Sequence, residues 1–179
     1  MARSKTLVCA LTLASALAAQ PAAAGTWTTI ADAGRAGLVG TAFVAAAAQK
    51  DWDGVLQAGY SIGFTGGATW LLKETFPEER PNGRGDDSFP SGHTSLSFAS
   101  AAFIHQRYGW QYGLPAYAVA ATVGVARVKT DHHHWYDVAA GAALGTATAF
   151  VFTDKLNENV QVFPWGDTKG GGIAMNVKF

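Results

Sequence analysis

The sequence predicts an all-α fold: a compact bundle of about five to six helices, followed by a short C-terminal tail that resembles a β-hairpin. Five segments rich in alanine and aromatic residues are long enough for helices and show no strand-like alternation. Hydrophobic residues make up 49% and charged residues 15% of the chain, against about 25% charged residues in average soluble domains. This composition is too apolar for a disordered protein and indicates one domain with short appendages.

Residues 1–24 are typical of a secretory signal peptide. Arg3 and Lys5 give a positive n-region, an apolar h-region follows, and three alanines form an A-x-A-like cleavage site before Gly25. The h-region is short for a membrane span of about 20 residues, which disfavours the alternative of an N-terminal anchor. The pattern therefore predicts export to a bacterial periplasm.

Residues 25–158 are expected to form the helical domain and residues 159–179 the tail. The helix-length segments are, in chain order, Thr29–Ala48, Gly54–Lys73, Thr94–Tyr108, Pro115–Lys129 and His134–Leu156. Glycines in the second segment and small residues in the fifth are expected to permit close helix packing. The tail carries short apolar runs on both sides of a glycine-rich stretch, which predicts two strands and a turn.

The charge balance and the cysteine count exclude further classes of protein. Thirteen basic residues match thirteen acidic residues, so no bulk positive field favours nucleic acid, and no nucleic-acid partner is expected. One cysteine allows neither an internal disulfide framework nor a four-cysteine zinc site. A compact soluble helical domain and a small membrane-embedded one both stay open on composition.

Three polar islands interrupt the helical segments, and the first two precede the third helix. The first runs from Lys73 to Arg80, two cations that would be ordinary surface charges if taken alone. The second is a Pro-Ser-Gly-His run that ends at His93. Ser91 is expected to be the N-cap of the third helix, whose free N–H groups favour an anion.

The third polar island runs from Arg127 to Asp137. Asp131 is expected to cap the last helix. His133 and Asp137 are four residues apart and are expected to share a helix face, where the carboxylate accepts from one ring nitrogen and makes the other more nucleophilic. A metal site built on this pair has no obvious third and fourth ligand, so no metal is expected.

Together the islands supply what a phosphate site without metal requires. Three cations neutralise the phosphoryl oxygens, the N–H groups at the helix start hold the equatorial plane, and two histidines serve as nucleophile and acid. The acidic residues of the loop before the third helix are interpreted as exposed loop charges: Glu78, Glu79, Asp86 and Asp87.

The islands resemble the tripartite signature of the type 2 phosphatidic acid phosphatase and vanadium haloperoxidase superfamily. That signature is K-x6-R-P, then P-S-G-H, then S-R-x5-H-x3-D, and both the order and every spacing fit between Lys73 and Asp137. The one departure is Ala126, directly before Arg127, where the signature has serine. It removes a small polar contact near the arginine and leaves the nucleophile in place.

The resemblance implies a histidine-nucleophile phosphatase with a helical bundle fold. It implies that His133 attacks phosphorus to form a phosphohistidine, that Asp137 orients His133, and that His93 protonates the leaving group and then activates water. The residues implied to bind the phosphoryl oxygens are Lys73, Arg80, Ser91, Gly92 and Arg127. No metal or other cofactor is implied, and vanadate is expected to inhibit as a phosphate mimic.

The sequence therefore predicts a metal-independent phosphatase that acts on a phosphomonoester or pyrophosphate. The favoured substrate is a lipid-linked one. Four aromatic residues beside the islands would either hold a lipid chain or belong to the core: Phe76, Phe89, Trp135 and Tyr136. The alternatives are a soluble periplasmic nonspecific acid phosphatase, a haloperoxidase, and a noncatalytic envelope protein that retains the fold. The expected partners are a phosphorylated lipid or small phosphoester and a membrane surface. The alternative location is membrane-embedded with a periplasm-facing site.

Overall fold

The computed structural model describes residues 24–156, 160–167 and 170–177, and within them it shows five α-helices and one β-hairpin. The helices are α1 (Ala24–Ala48), α2 (Trp52–Thr75), α3 (Gly92–Tyr108), α4 (Trp110–Lys129) and α5 (Trp135–Phe152). The predicted all-α class is confirmed. The expected signal peptide, apart from its last residue, lies outside the described residues.

The strands β1 (Val160–Asp167) and β2 (Gly170–Val177) form an antiparallel hairpin after the bundle. The register pairs Val160 with Val177 and Asp167 with Gly170, so the glycine-rich stretch starts the second strand. The hairpin-like tail that the sequence predicts is confirmed.

The fourth helix begins five residues earlier than expected, at Trp110. Pro115 lies inside its second turn, where the missing N–H leaves one carbonyl of the first turn without its helical bond. Gly109 separates α3 from α4 with a φ of 98°, a left-handed conformation that glycine adopts without strain. The break between the two helices is therefore set by this glycine and not by the proline.

Helix α3 lies at the centre of the bundle and contacts all four other helices. Glycines of α5 allow the closest approach, because a Cβ at Gly141 would lie 2.7 Å from the Ser91 carbonyl oxygen and one at Gly145 would lie 2.7 Å from Ala99 N. In α2, by contrast, a Cβ at Gly63 would meet nothing within 4 Å. The expectation that glycines permit close helix packing is confirmed for Gly141 and Gly145 of α5. It was wrong for Gly63 of α2.

A buried ion pair closes the end of the bundle where α2 begins and α3 ends. Arg107 Nη2 and Nε lie 2.5 and 2.8 Å from the two carboxylate oxygens of Asp51, and both side chains are almost fully buried. Asp51 also accepts from Gly54 N at 3.0 Å as the N-cap of α2, and from the Tyr108 hydroxyl at 3.1 Å. This clamp fixes α2 against α3 and leaves the opposite end of the bundle for the polar islands.

Large apolar side chains cover much of the bundle surface. Along α2 the residues at every fourth position are more than half exposed: Trp52, Leu56, Tyr60 and Phe64. Among the described residues, one helical segment, Gly25–Ala48, is long and apolar enough to cross a membrane by length and composition. The bundle surface therefore exposes many large apolar side chains.

Candidate active site

The three polar islands meet at one end of the bundle, where α2 and α4 end and α3 and α5 begin. Lys73 and Arg127 lie in the last turns of α2 and α4. Ser91 N–H donates to the Asp137 carbonyl at 3.0 Å, which joins the start of α3 to the start of α5. Ser91 and Asp137 are fully buried, so this junction is part of the protein interior.

Backbone hydrogen bonds fold the loop between α2 and α3 back on itself. Glu78 N–H donates to the Asp86 carbonyl at 2.7 Å, and Ser88 N–H donates to the Glu78 carbonyl at 2.9 Å. Asn82 N–H reaches across to the carbonyl of Asp131 at 3.0 Å, in the loop between α4 and α5. A main-chain bond therefore ties the loop that follows the first island to the third island.

Arg127 is a buried cation that lacks an anionic partner within the described part of the chain. The residue is 5% exposed, its Nε has no hydrogen-bond partner there, and it makes no ion pair within 4.0 Å among those residues. Burial and the neighbouring charge of Arg80 lower its pKa, while the charge of Asp32, which makes no ion pair with it, acts in the opposite direction. Because an unpaired buried charge is costly, this arrangement favours an anion bound beside the guanidinium.

The other two cations among the predicted phosphate-binding residues, Lys73 and Arg80, already contact protein groups. Lys73 Nζ donates to the carbonyls of Asp87 and, at 3.4 Å, Ser88, and burial lowers the pKa of Lys73. Arg80 binds Asp87 through two parallel bonds of 2.8 Å, from Nε to Oδ1 and from Nη2 to Oδ2. Asp87 is exposed, as expected for a loop charge, and it also orients Arg80.

His133 lies just before α5, and its ring is almost fully buried. Its Nδ1 lies 2.8 Å from the Ser88 carbonyl oxygen. Because a carbonyl only accepts, Nδ1 must carry the proton, and Nε2 keeps the lone pair. Burial and the charges of Arg127 and Lys73 lower the pKa of His133 to about 3, so the ring is neutral near pH 7.

The expected hydrogen bond from His133 to Asp137 is not formed. His133 Nδ1 and Asp137 Oδ2 are 3.8 Å apart, because His133 precedes α5 instead of sharing a face of it. Asp137 Oδ2 instead accepts from Ser88 Oγ at 2.6 Å and from His134 N–H at 2.7 Å. Asp137 thus acts on His133 through Ser88, whose carbonyl holds the ring.

His134 and Asp137 form a reciprocal capping box at the start of α5. The expected cap, Asp131, lies in the preceding turn with a φ of 52°. Burial alone would raise the pKa of Asp137, but the hydrogen bonds from Ser88 and His134 hold it below its usual value. The carboxylate is therefore ionised and fixed by backbone and side-chain donors.

His93 occupies the first turn of α3 and contacts a residue that the sequence motifs do not include. Its Nε2 lies 2.6 Å from Oδ1 of Asp32, which α1 supplies. Burial and the charges of Arg127 and Arg35 lower the pKa of His93, while the hydrogen bond to Asp32 acts in the opposite direction. Sequence reasoning missed Asp32 because 61 residues separate it from His93 and no spacing rule links them.

Ser91 is the N-cap of α3 as predicted, but its side chain does not close the helix end. Its Oγ pairs with Thr94 Oγ1 at 3.0 Å and makes no hydrogen bond to the backbone of the first turn. The N–H groups of Gly92 and His93 therefore receive no side-chain cap. N–H groups of this kind at a helix start are able to donate to an anion.

Ligand-type atoms of Glu78, His134 and Asp137 lie within 4.8 Å of one another, a geometry that a metal ion would accept. His134 and Asp137 are already bonded through the capping box, and Glu78 accepts from the Tyr136 hydroxyl. These contacts account for the cluster without an ion, and the metal-free site stays a prediction.

An apolar groove opens beside the loop that carries the first island. Its volume is about 790 Å³, and its lining residues are Leu72, Thr75, Phe76, Pro77, Glu78 and Phe89. Phe76 and Phe89 meet edge to face, with ring centroids 6.4 Å apart. Phe76 is 56% exposed and Trp135 is 72% exposed, so neither of these two is a core residue.

Comparison with known proteins gives a family match over most of this architecture. Residues 54–161 match the model of the PAP2 superfamily. The chain is 36% identical over 101 residues to the lipid A 1-phosphatase of Porphyromonas gingivalis, which covers 54% of this chain and 22% of that protein. It is 28% identical over 119 residues to the lipid A 4'-phosphatase of Helicobacter pylori, which covers 60% of each. The chain thus spans less than two thirds of the length of either relative.

Two solved structures share the fold. Aquifex aeolicus LpxE aligns with a TM-score of 0.63 and 21% identity, over 75% of this chain and 87% of that one. A transmembrane PAP2-type phosphatidylglycerolphosphate phosphatase from Bacillus subtilis aligns with a TM-score of 0.54 and 24% identity, over 76% and 77%. At these identities the likeness concerns the helical architecture.

Proposed function

The chain belongs to the PAP2 superfamily, and from this premise we propose that it is a phosphatase that hydrolyses a phosphomonoester or pyrophosphate carried on a lipid. The observation that carries the proposal is the buried guanidinium of Arg127, which has no ion pair among the described residues. It lies where an uncapped helix start and two histidines converge, and a phosphoryl group fits both its charge and its donors.

In the proposed reaction, His133 Nε2 attacks phosphorus in line with the leaving oxygen. A nitrogen–phosphorus bond forms as the phosphorus–oxygen bond breaks, and His93 gives a proton to the leaving oxygen. His93 then takes a proton from water, whose oxygen bonds to phosphorus as the nitrogen–phosphorus bond breaks, which releases phosphate and returns the lone pair to His133 Nε2. The Ser88 carbonyl keeps the His133 Nδ1–H in place through both steps.

The charges around the site favour the five-coordinate state over the bound ester. Lys73, Arg80 and Arg127 balance the negative charge on the equatorial oxygens, and the first N–H groups of α3 add oriented dipoles. His133 becomes cationic once its Nε2 is bonded to phosphorus. Asp137, 3.8 Å from the ring, stabilises that cation.

A lipid-linked substrate is supported by the groove and by the relatives. The groove lined by Leu72, Phe76 and Phe89 starts next to Lys73 and offers an apolar surface to a chain attached to the phosphate. The relatives named above are lipid A phosphatases. We propose that the exposed apolar residues of α2 place the protein at a membrane surface facing the periplasm, which fractionation without detergent would test.

The test is a phosphate-release panel on the purified chain. We expect turnover of at least one lipid phosphate among phosphatidic acid, phosphatidylglycerophosphate, undecaprenyl pyrophosphate and lipid A, in the presence of EDTA and with inhibition by vanadate. His133→Ala should abolish turnover, because it removes the nucleophile. Loss of activity in EDTA would contradict the metal-free mechanism, and near-normal rates for His133→Ala would contradict the nucleophile.

The same panel separates the remaining candidates. Soluble esters turned over faster than any lipid phosphate would favour the nonspecific acid phosphatase. Bromide oxidation after loading with vanadate would favour the haloperoxidase. Phe76→Ala should raise KM for a long-chain lipid phosphate and not for a soluble ester. Trp110 is also an exposed aromatic residue, at the start of α4, and Trp110→Ala should change neither KM.

A further inference from the structure

We propose that α1 completes the active site and that Asp32 is a positioning residue for His93. The family match begins at residue 54, so α1 lies outside it, yet Asp32 Oδ1 is 2.6 Å from His93 Nε2. The inference rests on the proposed function, because the role of His93 as the acid belongs to that proposal.

Packing fixes the turn of α1 that carries Asp32. Ala31 is fully buried in a cluster with Val123 and Ala126 of α4. One turn further, a Cβ at Gly34 would come within 2.7 Å of the Val123 side chain, so the two helices are in close contact. Ala126 precedes Arg127, and α1 is therefore held directly beside the phosphate-binding end of α4.

The hydrogen bond to Asp32 decides which nitrogen of His93 can serve the substrate. A carboxylate only accepts, so Nε2 carries a proton and donates it to Asp32. Nδ1 makes no hydrogen bond among the described residues and is the atom left to exchange a proton. Protonated His93 gives its Nδ1 proton to the leaving oxygen and becomes neutral. Because Nε2 keeps its proton in the hydrogen bond to Asp32, Nδ1 then carries the lone pair. Nδ1 is therefore ready to accept a proton from water in the second step.

Asp32 also balances the cations that face His93. Arg35 of α1 and Arg127 of α4 both disfavour the protonated ring, as does burial, and Asp32 is the carboxylate that favours it. Lys73 of α2 and Asp137 of α5 act on the other histidine, His133. Without Asp32, the protonated form that serves as acid would be rarer at any given pH.

The experiment compares the wild-type chain with Asp32→Asn. The side chain of Asp32 is 53% exposed and the substitution is isosteric, so the variant should fold with an unchanged melting temperature. We expect the alkaline limb of the kcat/KM profile to move to lower pH by about one unit, so kcat/KM should fall about tenfold at pH values above that limb. Asp32→Glu should restore part of the lost kcat/KM. Glu74→Gln, which removes an exposed carboxylate at the end of α2, should have the pH profile of the wild type.

A titration of the His93 ring protons by NMR, assigned with His93→Asn, gives a readout that does not need turnover. Asp32→Asn should lower the pKa of His93. An unchanged titration would overturn the role of Asp32 whether or not the chain hydrolyses any substrate. A changed titration in a protein inactive on every phosphoester would instead contradict the proposed function and leave the contact intact.

Discussion

Ser88 is the residue on which the geometry of His133 depends most directly. Its carbonyl accepts from the ring and its hydroxyl donates to Asp137, so one residue joins the proposed nucleophile to Asp137. Ser88 lies outside the signature, two residues before its second block, so the signature does not point to it. The spacing of four residues between His133 and Asp137 suggests that they contact each other directly. However, α5 begins between these two residues, and Ser88 connects them instead.

We expect Ser88→Ala to lower both stability and activity. Asp137 Oδ1 already lacks a partner among the described residues, and loss of the Ser88 hydroxyl would leave Oδ2 with the backbone and ring of His134 alone. The free energy of unfolding should fall by about 1–3 kcal/mol, measured by urea denaturation. Ser97→Ala is the matched control, because its buried hydroxyl has no hydrogen-bond partner within the described part of the chain and its removal should be neutral or stabilising. Equal losses in the two variants would contradict the network.

At the scale of the helices, the contact of α5 with α3 sets the site. Gly141 and Gly145 let the two backbones touch, and this contact brings the Asp137 carbonyl to Ser91 N–H. The glycine and alanine pattern of α5 predicted this close crossing. The same argument failed for Gly63, because composition shows that a helix can be approached closely but not which of its faces meets a neighbour.

Gly145→Ala should destabilise the bundle more than its helix propensity suggests. The added methyl would lie against the Ser95 carbonyl and 2.7 Å from Ala99 N, both backbone atoms that cannot rotate away. We expect a loss of about 1–3 kcal/mol or more in the free energy of unfolding. Gly63→Ala, which meets nothing within 4 Å, should gain about 0.5–1 kcal/mol. A gain for both variants would show that the helices are not in contact as described.

The five helices and the three blocks of the signature follow from local pattern, whereas the contacts that complete the site do not. Helix length, apolar composition and motif spacing are local features of the sequence, so the helices and the signature can be predicted from them. The pairs Asp32–His93 and Arg80–Asp87 depend on how α1 packs and how the loop folds back. Neither pair has a sequence period that would identify it.

For the whole molecule, histidines with lowered pKa values link stability to pH. The unfolded state protonates His133 near pH 6.5, whereas the folded state resists protonation until about pH 3, because burial and nearby cations oppose it. The unfolded state therefore binds more protons in this window, and the free energy of unfolding should fall as the pH drops through it. Lowered pKa values of His93 and His132, with burial as the largest cause, act in the same direction.

Urea denaturation between pH 7 and pH 4 measures this effect. His133→Asn should flatten the dependence by at most about 1.4 kcal/mol per pH unit, because asparagine can still donate to the Ser88 carbonyl but does not titrate. A slope equal to that of the wild type would assign the pH dependence to other groups.

The bidentate bond between Arg80 and Asp87 has a kinetic consequence. In the proposed reaction, Asp87 would hold the Arg80 guanidinium once phosphate leaves, because two hydrogen bonds of 2.8 Å already join these two side chains. The carboxylate of Asp87 would then compete with free phosphate for Arg80, whereas a lipid-linked substrate bound also through its apolar chain would be less affected. Asp87 should therefore speed the release of phosphate and reduce product inhibition by phosphate.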